Sequence, residues 1–318
     1  MSEGNAQEKK IENEPVNNEQ EQNEPPKKRR KEARAEKLKA QKLEKTREIV
    51  EKQRKKRIKL EDVSLKSLSK SMKDDSNSSE LKIEETGCSS QTKEQEQLGY
   101  QMGDKRGNLL LYALDETAGS SFTKELFGTI QQFLSAQKQE PKQTYYLFGT
   151  DYDKRGKSLI KSADTVRSLA YSELIQKCSP LFRFASGLLS AHTPKYHESL
   201  LKLELAPQQA RFGAFPNFSI RQIEAENKVS IPVSDSSVKY GFTVIIVVGD
   251  LQDVELKIPA IKHSVRLHDG IILVLRSSLL HQWYSLNKPG TFYEMRLFAF
   301  SSLWESTQNH SIEFQKEE

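Results

Sequence analysis

The chain has 318 residues, a formal charge of +5, six histidines and two cysteines. Cys88 and Cys178 are too few and too far apart for a disulfide framework or a zinc site. No stretch reaches the roughly 18 consecutive apolar residues of a membrane span. The N-terminus lacks the apolar core of a secretory signal, so the expectation is a soluble intracellular protein with no membrane partner.

Charge and apolar residues are unevenly spread. Residues 1–26 carry seven acidic and two basic side chains, residues 27–60 five acidic and seventeen basic, which is −5 and +12 against −2 for the remainder. No Phe, Tyr or Trp precedes Tyr100. A segment so poor in apolar bulk does not offset the entropy of ordering its backbone, so residues 1–98 are expected to form a disordered, charged tail and residues 99–318 the folded domain.

Within the tail, Lys27, Lys28, Arg29, Arg30 and Lys31, and later Arg54, Lys55, Lys56 and Arg57, stand among strong helix formers. The expectation is a solvated basic helix or linker. The same pattern reads as a nuclear-import signal and as a phosphate-gripping surface, so nuclear localisation and nucleic acid as partner are expected from it. It has no aromatic platform for stacking bases.

In the folded part, "NLLLYAL" is bounded by Gly107 and Asp115 and predicts a strand. Phe122, Leu126, Phe127, Ile130, Phe133 and Leu134 recur at helical spacing. After the short strand "TYYLFG" come two predicted helices, "SADTVRSLAYSELIQKC" and "SPLFRFASGLLSAH", with Ser162 or Asp164 and Ser179 as candidate caps. From about residue 212 the period becomes that of strands: "FSIRQIEA", "VSIPV", "GFTVIIVVG", "VELKIP", "HSVRL", "GIILVLRSS" and "TFYEMRLFAF" follow one another through short polar turns. The predicted fold is α+β, a jelly roll over about 212–301 with a supporting helical layer over about 120–200.

The ordered series "VSIPVSDSS", "GFTVIIVVGD", "VELKIP", "LRSSLLH" and "YEMRLFAF" resembles the core of the Tet/J-binding-protein-like Fe(II)/2-oxoglutarate dioxygenases over about 90 residues. The resemblance implies a double-stranded β-helix, Asp235 and His281 as metal ligands, and Arg296 as the group that would hold the far carboxylate of 2-oxoglutarate. It places Val233 where that family has its first ligand histidine. It also departs at Asp253 and Val254, where a glycine pair is usual, and at His268–Gly270, where the turn reads "HDG".

A facial triad needs two imidazoles and a carboxylate, and valine offers no lone pair. His192, His197, His263 and His268 are the conceivable replacements. By their residue types alone, Asp235 is a turn residue, His281 a strand-end histidine, and Arg296 an arginine paired with Glu294 or Glu255. The expectation is therefore a degenerate member without cofactor, acting as a nucleic-acid-binding or scaffold subunit of a DNA- or RNA-modifying complex such as a base methyltransferase assembly. The alternative is an active dioxygenase using Fe(II) and 2-oxoglutarate at an atypical metal site.

Overall fold

The computed structural model describes residues 26–75, 100–114, 120–136, 144–152, 158–162, 169–225, 229–233 and 237–307. The chain divides into two units, Met1–Ile49 and Val50–Glu318. The described part of the first lies in helix α1 (Pro26–Lys55). Pro26 opens that helix at a position where a missing N–H costs nothing, and Lys52, Arg54 and Lys55 complement the carbonyl end of its dipole.

The second unit takes up the chain earlier than its composition suggests. Strand β1 (Ile58–Leu60) lies parallel to β2 (Tyr100–Asp104), with Ile58 opposite Met102. Helix α2 (Leu65–Asp75) follows, and Leu65 and Leu68 are buried in the same apolar cluster as the strands. Within the span 1–98 that composition reads as a tail, residues 57–69 thus pack into the folded body. Their apolar side chains are few, but the partners that cover them lie far along the chain, as Met102 does for Ile58 and Tyr100 for Leu68. The Asp104 carboxylate accepts from the Leu65 N–H at 3.2 Å and from the Arg106 and Asn108 N–H groups at 2.9 Å, pinning the entry of α2 to the turn after β2.

The strands form two facing sheets. To β1 and β2 are added β3 (Leu109–Leu114), β4 (Tyr145–Tyr152), β5 (Leu159–Lys161), β6 (Asn217–Ala225), β7 (Val229–Val233), β8 (Thr243–Gly249), β9 (Val254–Ile258), β10 (His263–Leu267), β11 (Ile272–Leu275), β12 (Gln282–Leu286) and β13 (Gly290–Phe298). The large sheet runs β1-β2-β3-β11-β8-β13-β6-β4-β5 and the small one β10-β9-β12-β7.

Strand alternation decides which side chains meet. Ile245, Val247, Leu273, Leu275 and Phe292 of the large sheet pack with Leu256, Val265, Tyr284 and Leu286 of the small one, in the barrel interior. Val244, Ile246, Val248, Tyr293 and Met295 face the other way, into a second cluster under the helices. This is the expected α+β double-stranded β-helix, backed by α3 (Ser120–Ala136), α4 (Leu169–His192) and α5 (Pro194–Lys202), with α6 (Ser301–Thr307) closing the described chain. β12 was not among the strands expected from periodicity.

The two helices expected to part at Ser179 are one. Helix α4 continues through Pro180. A proline inside a helix removes one hydrogen bond and crowds the preceding turn, but Leu174, Cys178, Leu181, Phe182, Ala185 and Leu189 form a single buried stripe across it. Burial of that stripe outweighs the local cost. The candidate cap Ser162 instead donates to the Leu147 carbonyl at 2.8 Å, and Asp164 lies outside the described residues.

A closed pair at the barrel end

β13 and β12 carry the polar groups of the barrel interior. Glu294 and Arg296 are both on the interior face of β13, in register with Val247 and Ile245 of β8. The Arg296 guanidinium donates to both Glu294 carboxylate oxygens, from Nε to Oε1 and from Nη2 to Oε2 at 3.4 Å. The Tyr284 hydroxyl, from the small sheet, donates to Oε2 as well. Burial, and then the Glu294 charge, push the Tyr284 phenol well above its ordinary range, so it stays protonated as a donor. Of the two partners that the residue types suggested for Arg296, Glu294 is the one it takes. Glu255 lies on the half-exposed face of β9.

The residues implied as metal ligands are described in part. Val233 ends β7 and stands in register opposite Gln282, the first residue of β12. His281 is half-buried just before β12, and Asp235 lies outside the described residues. Of the conceivable replacements, His263 sits with its Nε2 2.7 Å from the Tyr100 hydroxyl, and burial pushes its imidazole down to about 4. His268 lies in the turn between β10 and β11. His192 and His197 belong to α4 and α5; the His192 ring packs edge-on to Tyr112, and His197 Nε2 is 3.0 Å from the Ser186 hydroxyl.

Among the described residues no three His, Cys, Asp or Glu side chains are grouped to hold a metal. The Arg296 guanidinium is engaged by the Glu294 carboxylate on its own strand.

Another arginine of the motif is structural. Arg276 is buried, donates from Nε to the Leu109 carbonyl at 2.8 Å, and lies 4.2 Å above the Phe242 ring. The "HDG" turn has its own tether: Asp269 accepts from the Gly249 N–H at 3.0 Å and from the Thr123 hydroxyl at 2.6 Å.

The basic residues separate into two kinds. Lys31, Arg54 and Lys55 are exposed along α1 and Lys56 just after it, and Lys27, Lys28, Arg29 and Arg30 lie in its first turns, their side chains outside the described set. Arg57, expected among the nucleic-acid-binding residues, is different. It is 8% exposed, donates from Nε to Gln101 Oε1 at 3.0 Å and from Nη1 to the Gly107 carbonyl. Its aliphatic stem fills the space where Gly103 has no side chain, since a Cβ there would stand 2.8 Å from Arg57 Cδ.

Gln101 passes the link onward, with its Nε2 3.4 Å from His192 Nδ1. Burial, and then the Arg57 charge, hold His192 down to about 4. Sequence reasoning missed Tyr284, Gln282 and Gln101. Tyr284 and Gln282 share a face of β12, a strand of mixed composition that periodicity did not reveal.

No protein-family model matches the chain. The structure is similar to NgTET1 in complex with 5mC DNA, with a TM-score of 0.53 and 15% identity over 76% of this chain and 92% of that one. A prolyl 4-hydroxylase from Phytophthora capsici aligns less well, with a TM-score of 0.37 and 10% identity over 64% of this chain and 63% of that one. The former likeness agrees with the oxygenase-type β-helix described above and concerns the fold. Among curated proteins, Calnexin-independence factor 1 of Schizosaccharomyces pombe is 53% identical over 277 residues, 86% of each chain. At that identity and coverage, the chain belongs to the family of Calnexin-independence factor 1.

Proposed function

We propose that this chain is a non-catalytic, oxygenase-shaped nuclear protein. In this reading it binds nucleic acid through the basic segment 27–56 and serves as a subunit of a DNA- or RNA-modifying complex, for example one built around a base methyltransferase. The observation that carries the non-catalytic part is the closed Arg296–Glu294 pair beside a valine at the first ligand position. Each would weaken one half of the oxygenase chemistry, and together they remove both the grip on the cosubstrate and the geometry of the metal. The nucleic-acid part rests on charge: seventeen basic against five acidic residues between 27 and 60, with Arg54, Lys55 and Lys56 exposed at the end of α1. The name of the family relative points to calnexin independence, and we infer that any such role in this chain is exercised through binding.

The test is binding of double- and single-stranded DNA and RNA across a salt series. Counterion release makes log K fall linearly with log salt, at about 0.9 per neutralised phosphate on duplex DNA. Neutralising Lys27–Lys31 together with Arg54–Lys56 should abolish most of the affinity. Salt-insensitive binding, or binding that survives those substitutions, would remove the nucleic-acid reading. Chains that co-purify with the full-length protein from a nuclear extract would identify the complex.

A further inference from the structure

We infer that the barrel end between Gln282 and the Arg296–Glu294 pair binds a small, electrically neutral molecule with an amide-type edge, one hydrogen-bond donor beside one acceptor. Gln282 is 3% exposed, and neither its Nε2 nor its Oε1 has a hydrogen-bond partner. Buried polar groups are almost always satisfied, and each exception marks a place where something further supplies the partner. Here two such atoms share one side chain.

Registers place that side chain. Gln282 shares its face of β12 with Tyr284 and Leu286, both in the interior cluster, and stands opposite Val233 of β7. On its other side the pairing of Trp283 with Lys257 puts it beside Ile258, which in turn faces His263 across β10. His263 is already engaged by Tyr100. Across the interior, Tyr284 reaches Glu294. Two residues further toward the same end, Tyr284 gives way to Gln282 on one wall and Glu294 to Arg296 on the other. That end is where β11 stops at Leu275, β8 starts at Thr243 and β13 passes Leu297.

Charge and geometry then select the ligand. Arg296 and Glu294 cancel, and both carboxylate oxygens are in use, so an ionic ligand finds no unpaired countercharge between them. A carboxamide presents N–H and C=O side by side, and its complement is another such edge, as in a primary amide or a lactam. The neighbouring hydroxyls are occupied with one another: Thr243 and Ser277 are 2.5 Å apart, and Ser277 and Ser237 3.2 Å. Gln282 is therefore the group that would read the ligand. The inference rests on the non-catalytic reading of this barrel end.

The experiment is thermal unfolding of the full chain with acetamide, 2-pyrrolidone or nicotinamide at ~10 mM, with succinate and 2-oxoglutarate as charged comparators. At least one amide should raise Tm by about 3 °C, as expected for a low-millimolar ligand and a domain of this size. Gln282→Leu removes both unsatisfied atoms with little change of shape; it should be as stable as the wild type without ligand and lose the rise. Should that variant fail to fold, the Gln282 side-chain NH2 resonance of the 15N-labelled wild type gives the same answer by moving with the amide. The inference is overturned if no amide moves either Tm or that resonance, the carboxamide then being met by ordered water. It is equally overturned if Gln282→Leu keeps the rise. A rise confined to 2-oxoglutarate would instead sink the non-catalytic reading.

Discussion

Glu294 and Arg296 lie two residues apart on one strand, face the same barrel interior, and satisfy each other there with Tyr284 as a third member. The arrangement neutralises the one arginine that the dioxygenase resemblance assigns to the cosubstrate. Both side chains are almost wholly removed from water, at 8% and 2% exposure. In such surroundings an unpaired charge is costly, whereas a complete replacement of the pair is not.

Glu294→Ala should therefore destabilise the protein by about 3–5 kcal/mol, because it takes the paired carboxylate away from the buried Arg296 guanidinium. The double variant Glu294→Leu with Arg296→Met should recover most of that loss. Urea midpoints at constant slope measure both; equal losses in the single and double variants would show that the pair does not act as a unit.

Arg57 and its neighbours should respond in opposite ways. Arg57→Ala removes hydrogen bonds from a buried cation to Gln101 and Gly107 and should cost about 1.5–3 kcal/mol of stability, with little change in the salt slope of nucleic-acid binding. Replacing exposed Arg54, Lys55 and Lys56 by Ala should leave Tm within a degree or two and flatten that slope by about 2 to 3. Denaturation and binding isotherms on the same preparations check both arms.

Stability should fall on mild acidification. His192 and His263 are held down to about 4 by burial, against an ordinary value of 6.5. Between pH 6.5 and about 4 the unfolded chain binds protons that the folded chain refuses, so stability is fully present above pH 6.5 and declines as pH drops through this window. Tm should fall by roughly 10 °C or more across it. Replacing His263 by Gln should flatten the decline, and a pH-independent Tm in the wild type would contradict the buried, neutral state of both rings.

Much of the barrel was legible because its central strands are fully buried. "TVIIVVG" and "IILVL" read as strands from composition alone, and β13 announced its alternation through Tyr293, Met295 and Leu297 against Glu294 and Arg296. β12 was not legible, since Gln282 and Ser285 are polar residues buried inside a strand. The segment around Leu65 and Leu68 was not legible as part of the folded body for a different reason. Its local composition is that of a tail, and its stability comes from β2 and β3, which no local window contains.

At the site, residue type and strand period offered Glu294 or Glu255 as the partner of Arg296, and the structure has Glu294. The separate fate of Arg57 could not be. In "KQRKKRIK" nothing local distinguishes the cation that meets Gln101 and the Gly107 carbonyl from those that meet water.

The most direct measurement is consumption of 2-oxoglutarate by the purified full chain supplied with Fe(II), ascorbate and oxygen, alongside equilibrium binding of the cosubstrate. The account predicts no turnover above the protein-free background and no saturable 2-oxoglutarate binding. Stoichiometric Fe(II) binding with succinate formation abolished by Arg296→Met would contradict it.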